Sequence, residues 1–79
     1  MNYAILQANK NSSFLVAREP GSDLEKAKLQ YHQLAAALIN DSGKVDATIK
    51  LVDENLDTVD TKYQEHITHE AKNTEEPEG

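Results

Sequence analysis

The chain has 79 residues, of which 38% are hydrophobic, and it contains one Phe, no Trp and no Cys. That length limits it to one domain with a modest core, and the lack of cysteine excludes disulfides, thiolate metal sites and cysteine-based catalysis. The net charge of −6 is uneven: residues 1–52 carry six basic and five acidic side chains, whereas residues 53–79 carry two basic and nine acidic ones. No basic face of the kind used for general nucleic-acid binding is visible.

The first two elements are predicted to form a β-hairpin. Residues 2–8 are rich in apolar side chains, residues 9–12 are polar turn formers, and residues 13–18 are rich in β-forming side chains. This order predicts two antiparallel strands joined by a loop of about four residues. The second strand is expected to stop at Glu19, Pro20 and Gly21, because proline cannot donate to a sheet ladder.

Residues 24–40 carry the clearest signal in the chain, an amphipathic helix. Its apolar side chains recur at helical spacing, at Leu24, Ala27, Tyr31, Leu34, Ala35, Leu38 and Ile39. Ser22 and Glu25 have the spacing of a capping box at the start. Gly43 is expected to take a left-handed conformation just beyond the end.

Two further strands are predicted after the helix. Val45, Ala47, Ile49 and Leu51 alternate with polar residues, which is typical of a strand with one wet face. Residues 53–57 look like a turn. Residues 58–67 are ambiguous, because their apolar side chains are four apart and suit a helix stripe or a strand face; their Thr, Val, Tyr and Ile content favours a strand.

The element order is therefore β-β-α-β-β, which predicts an α+β fold: a two-layer sandwich with one helix packed on a small, mainly antiparallel sheet. Residues 1–67 are predicted to form this single domain, and residues 68–79 an acidic disordered tail that has too little apolar surface to offset its ordering entropy. The pattern leaves open the strand order and the sheet face that the helix covers.

One helix cannot cover both faces of the predicted sheet. In the hairpin, Ile5 and Leu15 point to one side of the sheet, and a second set points to the other. On the helix, two residues lie outside the main apolar stripe. We expect a partner to bind this remaining apolar surface, which comprises Leu6, Phe14, Val16, Leu29 and Ala36. The simplest partner is a second copy of the chain, giving a homodimer.

No pattern in the chain specifies catalysis, a metal site or a cofactor. His66 and His69 have a spacing that suits zinc on a helix, but on a strand they point to opposite faces. The acidic turn after residue 52 lacks the glycine and glutamate of a calcium loop. Tyr31 and His32 have no partner that completes a catalytic triad. The sequence therefore predicts a non-enzymatic protein that needs no cofactor.

The leading functional prediction is a protein–protein interaction module. The alternative is an acidic regulator or inhibitor of a nucleic-acid-acting enzyme, which would bind a partner with a basic surface. Direct nucleic-acid binding is not expected unless the basic residues converge on one face; these are Lys10, Arg18, Lys44 and Lys50. No apolar run approaches the ~20 residues of a membrane span, and no signal peptide is recognisable. A cytoplasmic location without membrane binding is expected.

Residues 24–36, followed by residues 49–57, resemble small uncharacterised proteins of Gram-positive bacteria and their phages. Those chains pair a hairpin with a helix that carries an aromatic–His–x–x–Ala/Leu–Ala run, here Tyr31 to Ala36, and then a strand that ends in an acidic turn. The resemblance covers residues 2–67 and implies a ββαββ fold and a bacterial or phage source. Such chains often have glycine in the acidic turn, where this chain has Leu56. The family carries no functional residues that can be transferred.

Overall fold

The structure is a computed structural model, and it describes residues 1–71. A single helix packs on a four-stranded antiparallel sheet with the strand order β2-β1-β3-β4. The elements in chain order are β1 Tyr3–Asn9, β2 Leu15–Gly21, α1 Leu24–Ile39, β3 Val45–Val52, a short 3-10 helix Thr61–Tyr63, and β4 Gln64–His69. This architecture confirms the predicted α+β fold and its element order.

The helix covers one face of the sheet, and the core lies between the two layers. The predicted alternation in β3 is confirmed, since Val45, Ala47, Ile49 and Leu51 are all buried against the helix. Ile5 in β1 and Ile67 in β4 point the same way. The helix contributes most of its predicted apolar stripe, but Leu24 and Leu38 are only half-buried and Ile39 is 50% exposed. The buried helix side chains are Ala27, Tyr31, Leu34 and Ala35.

Strand β2 continues through Pro20 to Gly21, so the predicted stop at residue 19 is wrong. Because β2 is an edge strand, it tolerates a proline that lacks an N–H group. The pairing with β1 is irregular here: Ile5 lies opposite Arg18 but the next residue, Leu6, lies opposite Val16, which leaves one extra residue in β2.

The two ends of α1 differ from the predicted caps. The N-cap is Asp23 rather than Ser22, and its carboxylate accepts a hydrogen bond of 3.2 Å from the backbone N–H of Lys26. The helix therefore starts one residue too late for Glu25 to complete a capping box. At the other end, Gly43 is not left-handed. Its N–H instead donates to the Asp41 carboxylate at 2.7 Å.

The ambiguous segment 58–67 is neither one helix nor one strand. Thr58 makes an isolated bridge to Val52, a 3-10 turn follows, and the strand begins only at Gln64. The strand interpretation is thus correct for residues 64–67 alone. Strand β4 also runs through Thr68 and His69, which were predicted to lie in the tail. Glu70 and Ala71 follow without regular structure, and residues 72–79 of the predicted tail lie outside the described residues.

A partly buried hydrogen bond links α1 to β4. The Tyr31 side chain is completely buried, and its hydroxyl donates to Glu65 Oε1 at 2.9 Å. Glu65 lies opposite Ile49, so its carboxylate points to the helix side of the sheet. Burial, followed by the hydrogen bond and the negative charge of Glu65, raises the pKa of Tyr31 far above its usual value.

The turn after β3 contains a backbone conformation that is unusual for its residue. Leu56 has φ +66° and is 67% exposed. Asp53 closes this turn, because its carboxylate accepts hydrogen bonds from the backbone N–H groups of Asn55 and Asp57. A leucine in the left-handed region costs about 1–2 kcal/mol relative to the right-handed one. A glycine at this position would avoid this cost.

We predict that Leu56→Gly stabilises the fold by about 1 kcal/mol, because it relieves the left-handed strain and removes little packing. Urea denaturation measures the free energy of unfolding. The matched control is Asn55→Gly in the same turn, where φ is not positive; we expect it to destabilise the fold by up to about 1 kcal/mol. A loss of stability in L56G as large as in N55G would contradict the prediction.

The buried Tyr31 also predicts a pH dependence. Because the folded state raises the pKa of Tyr31 above the unfolded value of about 10, its contribution is complete below that pH. It is lost as the pH rises further, since the unfolded chain then ionises more readily. We expect urea midpoints of the wild type to fall more steeply above about pH 10 than those of Tyr31→Phe. Parallel pH profiles of the two proteins would refute this role of Tyr31.

Candidate interaction surface

The face of the sheet that the helix does not cover has an apolar half and a polar half. Register places Val16, Leu6 and Lys50 side by side across β2, β1 and β3 on this face. Toward β4, the same face carries the side chains of Thr48 and His66. The apolar half is therefore on the hairpin, as the sequence predicted.

The centre of this uncovered face is already shielded within a single chain. Leu6 is only 8% exposed and Val52 is fully buried, although neither belongs to the core beneath the helix. The Phe14 ring lies over the face, and the Lys50 ammonium is 4.5 Å from its centroid, a cation–π contact. Leu6 is thus correctly placed by the sequence but is not an accessible contact residue.

The accessible apolar surface lies instead at the edge of the sheet. Phe14, Leu15 and Val16 are consecutive, and they are 40%, 72% and 53% exposed. They lead into and begin β2, which is an edge strand. An edge strand presents unpaired backbone N–H and C=O groups on its outer side. We call residues 14–16 the apolar edge.

The remaining edge positions are protected in the ways that natural sheets use. Further along β2, the irregular pairing at Arg18 and the presence of Pro20 disrupt regular strand addition. On the opposite side of the sheet, the outer strand β4 carries exposed charged and polar side chains such as Glu65 and Thr68. The apolar edge is therefore the unprotected stretch of the two outer strands.

The five residues predicted to bind a partner do not form one surface. Leu6, Phe14 and Val16 belong to the uncovered side of the sheet. Leu29 and Ala36 are exposed on the outer side of the helix, across the domain from the sheet. The helix stands between these two sets, so one partner copy cannot cover both by a single flat contact. Spacing along the helix predicted the exposure of Leu29 and Ala36 correctly. It could not show that the helix would place them on the opposite side of the domain from the uncovered sheet face.

Leu15 is the member of the apolar edge that sequence reasoning missed. It was predicted to share the side of Ile5, and its pairing with Gln7 agrees with that side. The helix nevertheless leaves this end of the hairpin uncovered, because Leu15 is 72% exposed. The available signal was its position directly after the hairpin loop, at the start of β2, where the helix covers little of the sheet.

The polar half of the uncovered face contains a close histidine–carboxylate contact. His66 Nε2 lies 2.6 Å from Asp46 Oδ1, between β4 and β3. Beside it is an open pocket of about 310 Å³ whose lining includes Phe14, Thr48, Lys50, Gln64 and His66. Both partners of the contact are partly exposed, so this contact adds little stability.

The fold separates the two histidines that were considered as a zinc pair. His66 lies on the uncovered face, whereas His69 points to the helix side, opposite Val45. Within residues 1–71, no group of three or more His, Asp or Glu side chains is arranged to hold a metal ion. Tyr31 and His32 pack edge to face, with 5.7 Å between their ring centroids.

The four basic residues do not converge on one face. Lys10 and Lys44 line a common pocket together with Asp41 and Asp46. Lys50 lies against the Phe14 ring on the uncovered face, and the Arg18 guanidinium donates to the Ala17 carbonyl oxygen in β2. This arrangement does not provide the continuous basic surface that nucleic-acid binding requires.

Comparisons with protein-family models, curated proteins and solved structures give no significant match for the chain. The resemblance to small bacterial and phage proteins therefore stays a prediction. The described part of the chain contains no helix that is long and apolar enough to cross a membrane. The cytoplasmic location also stays a prediction.

Proposed function

We propose that the protein is a non-enzymatic protein–protein interaction module that forms a homodimer through its apolar edge and the adjoining uncovered sheet face. The observation that carries this proposal is the exposure of three consecutive large apolar residues, Phe14, Leu15 and Val16, at the start of an edge strand. Most sheets protect such a stretch, since it favours pairing with another chain.

A second copy suits this edge for a geometric reason. Two identical edge strands related by a two-fold axis pair antiparallel, so one surface satisfies its own hydrogen-bonding pattern. If the axis lies beside Val16, the Val16 side chains of the two copies meet and both Phe14 rings flank them on the same face. The contact would join two four-stranded sheets into one of eight strands.

We predict that the wild type is dimeric at high micromolar concentration and that Val16→Lys makes it monomeric, because a charge is then placed at the two-fold axis. Sedimentation equilibrium measures the mass of each protein. Val16 is 53% exposed in the single chain, so the substitution leaves the core intact, and a thermal melt checks this.

The matched control is Leu29→Lys, which adds the same charge at a similarly exposed leucine on the outer side of the helix. It should leave the dimer unchanged. A monomeric wild type would refute self-association, whereas a dimer broken by L29K but not by V16K would move the interface to the helix.

Because the chain has no cysteine, one introduced cysteine tests the position of the axis. We expect Val16→Cys to form a disulfide-linked dimer under mild oxidation, and Leu29→Cys to stay largely uncrosslinked. Efficient crosslinking through position 29 alone would exclude pairing along β2.

An acidic regulator that binds a basic protein is the second candidate function. It is supported by one pocket, of about 420 Å³, whose lining includes the carboxylates of Glu19, Asp53 and Glu54 beside the apolar side chains of Val16 and Leu56. Binding of this kind should weaken steeply as salt is raised from about 0.05 to 0.5 M. A complex captured from lysate that resists this salt range would count against the acidic candidate.

A further inference from the structure

Both ring nitrogens of His69 contact backbone carbonyl oxygens. Nε2 lies 2.9 Å from the carbonyl oxygen of Leu38, in the last turn of α1, and Nδ1 lies 2.9 Å from that of Glu70. His69 is the last residue of β4 and is half-buried. We propose that His69 is a proton-dependent clamp that, in its doubly protonated form, fastens the C-terminal end of β4 to the C-terminal end of the helix.

Carbonyl oxygens and imidazole nitrogens differ in their capacity to donate and accept hydrogen bonds. A carbonyl oxygen can only accept a hydrogen bond, whereas a neutral imidazole has one donor nitrogen and one acceptor nitrogen. A neutral His69 would therefore satisfy one carbonyl and direct a lone pair at the other. The imidazolium form donates from both nitrogens, so it is the form that matches both contacts.

The helix end favours the same form. Leu38 supplies one of the last carbonyl groups of α1, at the negative end of the helix dipole, and its oxygen also accepts a 3.3 Å hydrogen bond from the backbone N–H of Asp41. The last turn of α1 contains no basic residue of its own. His69, reaching across from β4, supplies the positive charge that this helix end lacks.

The charged groups around His69 are of both signs. Lys10, Lys44, Asp46 and Glu70 line the same pocket as His69. The two lysines oppose protonation and the two carboxylates favour it, although Asp46 also contacts His66. From the helix, residues 29–40 contribute no charged side chain, and Asp41 is the first acidic residue beyond them. The two carbonyl contacts are the geometric feature that favours the doubly protonated ring.

Loss of the proton would open the clamp at one of its two carbonyls. The end of β4 would then be less firmly held against the helix, and the fold would lose stability as the pH rises. This device lies on β4 and does not depend on the dimer that we propose at β2. The two proposals can therefore fail separately.

The first test is the protonation state itself, read from the ring nitrogens of the ¹⁵N-labelled wild-type protein by two-bond ¹H–¹⁵N correlation. An unperturbed imidazole is mostly neutral at neutral pH. We expect both nitrogens of His69 to show the imidazolium signature there. A neutral tautomer of His69 at neutral pH would overturn the proposal, whatever the variants do.

The second test compares thermal melts of the wild type and His69→Gln between about pH 6 and pH 9. Glutamine can donate to one carbonyl but carries no titratable charge. We expect H69Q to melt several degrees lower at the acidic end, about 4–8 °C for a domain of this size. The difference should shrink toward the alkaline end, because the wild type loses its clamp there.

The matched control is His66→Gln, which removes a histidine from the same strand but from the uncovered face. We expect the melting temperature of H66Q to differ from that of H69Q in the same pH-dependent way as the melting temperature of the wild type does. Parallel pH profiles of the wild type and H69Q, or a pH dependence that disappears in H66Q instead, would overturn the clamp.

Discussion

A single helix must cover the apolar side chains of a four-stranded sheet, and the rest of the structure follows from that constraint. On the covered face, apolar side chains from β1, β3 and β4 meet the helix stripe and form the core. On the other face, Leu6 and Val52 are already buried within the single chain, and the Lys50 ammonium lies over the Phe14 ring. The apolar surface that remains exposed on the sheet is therefore the apolar edge, residues 14–16.

The two edges of the sheet are held in different ways. At β4, the helix makes side-chain hydrogen bonds at both ends of the strand, through Tyr31 with Glu65 and through the Leu38 carbonyl with His69. At β2, the irregular pairing and Pro20 protect one half of the strand. The other half begins with the apolar edge, which has β-forming side chains and no charge. This asymmetry is the structural reason for assigning self-association to β2 rather than to β4.

The sequence predicted those features that depend on local periodicity. The alternation in β3 and the helical stripe around Tyr31 were sufficient to give the elements, their order and the α+β class. The predicted N-cap, Ser22, was wrong by one residue, because the neighbouring Asp23 side chain can accept the same kind of hydrogen bond. It also misjudged residues 58–63, where Val59 and Tyr63 reach the core from a loop and a 3-10 turn. Their four-residue spacing reflects tertiary packing and no regular element.

The candidate site was harder to predict, because exposure depends on how far the helix extends over the sheet. Leu15 has the register of a core residue and the exposure of a surface one. Leu6 shows the reverse, since it lies on the open face and is covered by its neighbours. Side-chain direction follows from the period of a strand, whereas cover depends on the length and position of another element. The strand order, which the sequence left open, places the apolar edge and His69 at opposite edges of the sheet. The dimer that we propose at β2 would therefore leave the contacts of His69 intact.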